Sequence, residues 1–107
     1  MKLTVLAAGA WGTALAIAFS ARHTVTLWSR QADLAAEMSA KRENTHFLPG
    51  HPLPDSLLIS ADFVAAAASA EVLVIATPMA GLRATLERLK AEGVVRPLLW
   101  VCKGFEA

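Results

Sequence analysis

The amino-acid sequence predicts an α/β fold with a doubly wound parallel sheet, and three observations lead to this class. Short apolar runs of strand length alternate along the chain with segments that carry apolar residues at helical spacing. The helical segments are about 10–15 residues long, which is the length that connects parallel strands in βαβ units. The clearest strand, residues 71–76 with the sequence Glu-Val-Leu-Val-Ile-Ala, is apolar enough to be covered by helices on both faces. Such units connect through right-handed crossovers, so helices are expected on both sides of one sheet.

The first half of the chain contains two predicted strand–helix pairs. Leu3, Val5 and Leu6 lie in a short apolar run, and a segment rich in good helix formers follows it after a turn. The next run, His-Thr-Val-Thr-Leu-Trp-Ser, is rich in β-branched residues and predicts a strand. Apolar residues at helical spacing then predict a second helix. The expected bounds are residues 2–8 and 23–29 for the strands, 13–22 and 31–41 for the helices, and 9–12 for the turn.

The second half contains an irregular segment followed by three predicted strands and two helices. Three prolines and a glycine predict a loop over residues 44–56, and Ser60 or Asp62 can begin a short helix. The last helix carries an apolar stripe that is expected to face the core, and Gly93 ends it. The stripe consists of Leu82, Leu86 and Leu89. The expected bounds are residues 57–60, 71–76 and 97–101 for the strands, and 61–68 and 79–92 for the helices.

The composition predicts one domain and excludes several functions. Of the 107 residues, 55% are hydrophobic and 18% charged, which provides the apolar surface for a single core. The net charge is +1 and the basic residues are dispersed, so no nucleic-acid partner is expected. The single cysteine, Cys102, excludes an internal disulfide. His46 and His51 lack a third ligand nearby, so no metal site is expected.

The N-terminal segment leaves an alternative open. Residues 1–21 combine a positive start, an apolar stretch and small residues near Ser20, which is the outline of a secretory signal peptide. The apolar stretch is longer than a usual signal core, and Gly9 and Gly12 interrupt it around the bulky Trp11. A buried strand and helix are therefore the preferred interpretation, with no membrane partner.

A glycine-containing turn follows the first strand. In dinucleotide-binding folds the pattern Gly-x-Gly-x-x-Gly stands at this point, where its middle glycine lets the backbone approach a pyrophosphate and its last lets the helix pack close to the strand. Gly9 and Gly12 occupy these two positions, whereas Ala7 stands where the first glycine would be. If residue 7 needs a positive φ, its Cβ costs about 1–2 kcal/mol. The turn is predicted to bind a pyrophosphate, and an ordinary strand-to-helix turn is the alternative.

The end of the second strand favours one dinucleotide over another. Domains of this fold that use NAD usually place a carboxylate there, about 20 residues after the glycine turn, to bind the ribose hydroxyls. Ser29 and Arg30 occupy the position here. A guanidinium can pair with a 2′-phosphate through two hydrogen bonds, so the residues favour NADP(H). A solvated arginine at a strand end is the alternative.

Several segments in combination resemble one family, the NAD(P)-dependent glycerol-3-phosphate dehydrogenases of bacterial type. The Trp after the glycine, the Asn-x-x-aromatic-Leu-Pro-Gly loop and the closing Lys-Gly-x-Glu are specific together, and the resemblance runs over essentially the whole chain. It implies a Rossmann-type domain. The segments that carry it are residues 9–16, 27–30, 42–50, 76–78 with 82–83, and 103–106.

The resemblance implies an activity and a set of site residues. Enzymes of this family interconvert dihydroxyacetone phosphate and sn-glycerol 3-phosphate by hydride transfer, and in the cytoplasm they feed phospholipid synthesis. NADPH is the implied cofactor, with NADH as the alternative, and a homodimer is a further implication for the full-length protein. The implied cofactor-binding residues are Gly9, Ala10, Trp11, Gly12, Arg30, Phe47 and Lys103.

Individual roles follow from the same resemblance. Ala10 and Trp11 would line the pyrophosphate and ribose, Arg30 would meet the adenine ribose, and Lys103 would reach both the nicotinamide and the substrate phosphate. Phe47 stands where the family often has tyrosine, so a hydroxyl contact would be missing here. The family's proton-donating lysine belongs to a helical C-terminal domain, which residues 1–107 do not include. We therefore expect residues 1–107 to form one dinucleotide-binding domain without a catalytic residue.

Two other functions remain open at this point. One is the N-terminal domain of another β-hydroxyacid-type dehydrogenase, which would share the fold. The other is a stand-alone module that binds NADP(H) without turnover.

Overall fold

The computed structural model of the chain describes residues 1–7, 9–76 and 79–101, with the backbone alone at residues 79 and 80. The main sheet has five strands in the order β5-β2-β1-β6-β7, and every neighbouring pair is parallel. The predicted doubly wound α/β fold is therefore confirmed. The elements are β1 (Lys2–Leu6), α1 (Ala10–Ser20), β2 (Thr24–Trp28), α2 (Ala32–Lys41), β3 (Glu43–Asn44), β4 (Leu48–Pro52), β5 (Leu58–Ser60), α3 (Phe63–Ala68), β6 (Val72–Ile75), α4 (Met79–Ala91) and β7 (Leu98–Trp100).

The strand order reverses direction at β1. From β1 the chain builds outward through β2 to β5, and it then crosses to the other side of β1 to form β6 and β7. Val5 of β1 lies in register with Leu27 on one side and Val74 on the other. Ligands of open α/β sheets bind at the carboxyl ends of the strands where such a reversal occurs. The topology therefore predicts that a ligand binds near the segments that follow β1, β2 and β6.

Two apolar clusters cover the two faces of the sheet. Alternate residues of a strand point to opposite faces, so Val5 joins one cluster and Leu6 the other. The first cluster includes Ala16 of α1 and Met38 of α2, and the second includes Phe63 of α3 together with a leucine of α4. The helices are thus wound in pairs, α1 and α2 on one face and α3 and α4 on the other.

Helix α1 begins earlier than the sequence predicted. Residues 9–12 were expected to be a turn, but Ala10, Trp11 and Gly12 form the first turn of the helix. The reason is that Gly9 is the extended N-cap residue, and its carbonyl accepts the Thr13 N–H at 2.9 Å. The helix then ends at Ser20 rather than at residue 22.

The segment predicted as a loop over residues 44–56 contains a strand. β3 and β4 form a two-stranded antiparallel ribbon in which Asn44 is in register with Leu48, with an irregularity between Glu43 and Asn44. Prolines are tolerated in β4 because a two-stranded ribbon leaves one edge of each strand unpaired. The loop prediction was therefore wrong for Asn44 and for residues 48–52.

The stripe predicted for the last helix is only partly buried. Leu89 is buried at 4% exposure, whereas Leu86 is 37% exposed. The prediction that all three leucines of the stripe face the core was wrong for Leu86. Asp62, one of the two predicted starts of α3, does cap that helix, since its Oδ1 accepts the Ala65 N–H at 3.1 Å.

The N-terminal segment forms β1 and α1, and Val5 and Ala16 within it are fully buried. This arrangement agrees with the preferred interpretation of residues 1–21 as a strand and a helix. Within the part of the chain that the structure describes, no helix has both the length and the apolar character needed to cross a bilayer.

Candidate functional site

A cleft of about 430 Å³ opens at the carboxyl ends of β1 and β2, between the start of α2 and the helices α3 and α4. Among the residues that the structure describes, the lining contains two arginines and no carboxylate, so it suits an anion. The lining residues are Ala7, Gly9, Trp28, Ser29, Arg30, Gln31, Leu34, Phe47, Phe63, Gly81, Ala84, Thr85 and Arg88.

The turn after β1 adopts the conformation that the first glycine of the dinucleotide pattern would serve. Ala7 has φ of +123°, a value that L side chains rarely adopt, and its N–H donates to the Trp28 carbonyl at 3.2 Å. The condition stated from sequence, that residue 7 needs a positive φ, is met. Ala7 therefore carries backbone strain at the edge of the cleft.

Gly12 shows why the last glycine of the pattern is needed. A Cβ at Gly12 would lie 2.1 Å from the Ala7 carbonyl oxygen and 3.5 Å from the Ala76 Cβ. The helix α1 can lie this close to the end of β1 only because residue 12 has no side chain. The predicted close packing of helix on strand is present.

Gly9 lines the cleft, and the first turn of α1 begins beside it. A Cβ at Gly9 would meet no atom within 4 Å, so open space surrounds this position. No side chain caps the helix, and its first turn carries no acidic residue. Its first N–H groups and the positive end of its dipole are therefore left for an anion. Ala10 and Trp11 lie in that turn, exposed and outside the lining of the cleft.

Arg30 lies at the strand end where the sequence predicted a residue that binds a 2′-phosphate. It follows β2, lines the cleft and is exposed. Ser29, just before it, is buried at 3% exposure, and its Oγ accepts the Gln31 N–H at 3.1 Å. Among the residues that the structure describes, no carboxylate pairs with Arg30, so its guanidinium is available to a ligand.

Phe47 reaches the cleft from the turn between β3 and β4, and a buried asparagine holds that turn. The Asn44 Nδ2 donates to the Thr13 Oγ1 of α1 at 2.9 Å, and its Oδ1 accepts the Phe47 N–H at 3.2 Å. Asn44 is fully buried, whereas the Phe47 ring is 48% exposed. Sequence reasoning quoted Asn44 within the loop motif but assigned it no role. The feature of the sequence that could have identified Asn44 is its fixed spacing from the aromatic residue of that motif.

Glu37 of α2 fastens the other side of the same turn. Its carboxylate accepts the Thr45 hydroxyl at 2.8 Å, lies 3.2 Å from the His46 Nε2, and is 3.4 Å from the Lys41 ammonium. These contacts, with the Thr45 hydrogen bond first among them, hold the pKa of the Glu37 carboxyl below its ordinary value. Sequence reasoning missed Glu37, because a helical glutamate gives no sign that a later loop returns to it.

An aromatic and cationic cluster forms another part of the lining. The rings of Trp28 and Phe63 meet edge to face with centroids 5.1 Å apart. The Arg88 guanidinium carbon lies 4.3 Å from the Phe63 centroid and 5.9 Å from the Trp28 ring. The Trp28 indole nitrogen is buried and has no hydrogen-bond partner among the described residues. Sequence reasoning assigned nothing to Arg88, because a single arginine on a helix is usually solvated.

The last predictions to compare with the structure concern Lys103 and the absence of a metal site. Lys103, predicted to contact both cofactor and substrate, lies outside the described residues, as do Cys102 and residues 77–78, which carry part of the family resemblance. Within residues 1–7, 9–76 and 79–101, no group of three or more metal-ligating side chains occurs. His46 instead contacts Glu37.

The comparisons with known proteins all find similarity to one family. The family model described as NAD-dependent glycerol-3-phosphate dehydrogenase N-terminus matches residues 2–107. The chain is 61% identical over 107 residues to a glycerol-3-phosphate dehydrogenase [NAD(P)+] of Dechloromonas aromatica, covering 100% of this chain and 32% of that protein. It is 59% identical over 106 residues to the protein of the same name from Thiobacillus denitrificans, covering 99% and 32%.

A solved structure supports the same comparison. The crystal structure of glycerol-3-phosphate dehydrogenase from Coxiella burnetii superposes with a TM-score of 0.85 at 30% identity, over 95% of this chain and 32% of that one. The chain therefore spans about a third of the length of the curated relatives that it matches.

Proposed function

This chain belongs to the family of NAD-dependent glycerol-3-phosphate dehydrogenase N-termini, and we propose that it is the part of such an enzyme that binds the dinucleotide. The observation that carries the proposal is the cleft at the strand-order reversal, which adjoins the uncapped N-terminus of α1 and whose described lining contains arginine but no carboxylate. The pyrophosphate would lie beside Gly9 and the first turn of α1. The adenine ribose would lie beside Arg30, with Phe47 next to it.

NADPH is the proposed cofactor, with NADH as the alternative. A carboxylate after β2 would accept the two ribose hydroxyls of NADH and repel a 2′-phosphate. Arg30 stands there instead, and its fork of donors matches a phosphate. The names of the relatives, which give NAD(P)+, agree with either dinucleotide.

The whole protein is proposed to interconvert dihydroxyacetone phosphate and sn-glycerol 3-phosphate in the cytoplasm, as a homodimer, with Lys103 at the substrate phosphate. The bound dinucleotide supplies the hydride. Residues 1–107 hold the dinucleotide, and a further domain supplies the proton donor. The family match favours this activity over that of another β-hydroxyacid-type dehydrogenase, and nothing described above favours a stand-alone sensor.

The proposal is tested by Gly9→Ala in the full-length protein. Gly9 has φ of −71° and ψ of −177°, which alanine also adopts, and the added Cβ meets no protein atom within 4 Å. The fold should therefore be unchanged, while the methyl group occupies space that the pyrophosphate needs. We expect NADPH affinity to fall by about tenfold or more, measured by fluorescence titration, at an unchanged melting temperature.

Gly12→Ala is the contrasting variant. Its Cβ would lie 2.1 Å from the Ala7 oxygen, so this variant should lose stability as well as binding. If Gly9→Ala bound NADPH as tightly as the unaltered protein, the pyrophosphate would not lie at this turn and the proposed site would be wrong.

A further inference from the structure

The cleft contains a second arginine to which neither the sequence nor the comparisons give a role. Arg88 lies on α4, whereas Arg30 follows β2, so two arginines from different elements line one cleft of about 430 Å³. Two cationic side chains around a common space raise its positive potential and so favour an anion there.

No described contact uses the hydrogen-bonding capacity of Arg88. Its guanidinium packs over the Phe63 ring, with its central carbon 4.3 Å from the centroid. Within the described part of the chain, no carboxylate or carbonyl accepts its N–H groups. The neighbouring cation on the same helix behaves differently, since the Arg83 Nε lies 3.3 Å from the Glu87 carboxylate. Glu87 is therefore engaged elsewhere, and the donors of Arg88 remain available.

The Arg88 guanidinium lies against a ring that is itself held in place. Phe63 is buried at 3% exposure, and its ring is held edge to face against Trp28. A guanidinium that packs over a fixed ring has lost part of its freedom before a ligand arrives. A planar fork held in this way suits the oxygens of a phosphate monoester, which it can bind through two parallel hydrogen bonds.

We propose that Arg88 binds the 2′-phosphate of the adenine ribose together with Arg30, so that the two arginines jointly set the preference for the phosphorylated dinucleotide. The inference rests on the proposed function, because it takes the end of β2 as the place of the adenine ribose. It adds a specificity-determining residue from α4, an element that the sequence assigned only to the core.

The experiment uses the adenosine half of the cofactor, so that the nicotinamide end and the chemistry do not enter. Binding of 2′,5′-ADP and of 5′-AMP, which differ only in the 2′-phosphate, is measured by titration calorimetry on the full-length protein. The variants are Arg88→Gln, Arg30→Gln and the matched control Arg83→Gln, which removes the same charge from the same helix outside the cleft lining.

Arg88→Gln should weaken 2′,5′-ADP by about tenfold and leave 5′-AMP nearly unchanged, as should Arg30→Gln. Arg83→Gln should change neither affinity by more than about twofold. Melting temperatures should change little in Arg30→Gln and Arg83→Gln, because these side chains are exposed. Arg88→Gln also loses the contact with Phe63, so a small fall in its melting temperature is expected beside the selective loss of 2′,5′-ADP.

Three outcomes would overturn the inference. An equal loss for both nucleotides in Arg88→Gln would show that Arg88 contacts the adenine or the 5′-phosphate instead. Unchanged affinities in Arg88→Gln would show that it contacts neither. If the unaltered protein bound neither nucleotide, the proposed function itself would fail, which distinguishes that result from the other two.

Discussion

Ala7 holds a backbone conformation that suits glycine, at the edge of the cleft and in contact with the helix that follows. Its φ of +123° places the Cβ against its own backbone, at a cost of about 1–3 kcal/mol. The close approach of Gly12 to the Ala7 carbonyl prevents the turn from relaxing into an ordinary conformation. The strain is therefore fixed by the neighbouring helix.

Ala7→Gly should stabilise the protein. Glycine removes the strain but gains freedom in the unfolded chain, which offsets about 0.4–1 kcal/mol. We expect a net gain in the free energy of unfolding of about 1 kcal/mol, measured by denaturant titration. The control is Ala18→Gly on the exposed side of α1, where the same change should cost about 0.5–1 kcal/mol. An Ala7→Gly protein that is no more stable than the original would show that the turn carries no strain.

Individual residues also show which parts of a site can be predicted from the sequence. Gly12 and Arg30 belong to a pattern that is local in sequence, so their places at the turn and at the strand end were predicted. Asn44 and Glu37 act through contacts with residues 31 and 8–9 positions away, and such contacts exist only once the helices have packed. The spacing of Asn44 and Phe47 in the loop motif singles out the asparagine but not its contact with α1, and no local pattern identifies Glu37.

At the scale of elements, the turn that carries Phe47 is held between two helices. Asn44 ties it to α1 and Glu37 ties it to α2. An aromatic side chain that is 48% exposed is thereby kept at the cleft without being buried in the core. The position of Phe47 depends on polar contacts that respond to pH.

Glu37→Gln should loosen this turn. The lowered pKa of Glu37 means that its carboxylate stabilises the fold fully above the ordinary value of about 4.3, and that this contribution is lost as the pH falls through the lowered value. At pH 7 the variant lacks the charge, so hydrogen-exchange protection of the Phe47 N–H should fall about two- to fivefold. Lowering the pH should reduce that protection in the unaltered protein but not in the variant.

Asp33→Asn is the control, since Asp33 is an exposed acidic residue on the same helix that makes no described contact with the turn. Equal protection in Glu37→Gln and Asp33→Asn would mean that Glu37 does not hold Phe47.

The elements were predicted unevenly, and the reasons are physical. The central strands β1 and β6 were found because strands buried on both faces are continuous apolar runs. The edge strands β5 and β7 were also predicted, although their residues are exposed or only partly buried. β4 was missed because its prolines lie in an exposed two-stranded ribbon, where no period of two is imposed by a core. The start of α1 was placed too late because glycine is a poor helix former, and sequence alone does not show that Gly12 packs against Ala7.

At the scale of the whole molecule, the described residues that line the cleft can bind a dinucleotide but include no proton donor for its reaction. Its side chains are those of alanine, leucine, serine, threonine, glutamine, tryptophan, phenylalanine and arginine, and none exchanges a proton readily near neutral pH. Reduction of a ketone requires a general acid to protonate the new alkoxide.

A polypeptide of residues 1–107 should therefore bind NADPH yet leave it unoxidised in the presence of dihydroxyacetone phosphate. NADPH absorbance measures the reaction, and the full-length protein is the positive control. Lys103→Ala in the full-length protein should lower turnover far more than NADPH affinity, because Arg30 and the turn after β1 remain. Oxidation of NADPH by residues 1–107 alone would place a proton donor within them.

The central place of β1 also determines the order in which the fold can assemble. β1 precedes the other strands of this sheet along the chain, yet its neighbour β6 is encoded far from it, with Leu3 paired to Val72 and the Lys2 N–H donating to the Glu71 carboxylate at 2.8 Å. A ribosome must therefore complete three intervening crossovers before the middle of the sheet can close. Non-local pairing of this kind slows folding, because the entropy of closing a long loop is lost before its contacts form. β1, which precedes every other strand of this sheet along the chain, is thus among the last to gain its full set of neighbours.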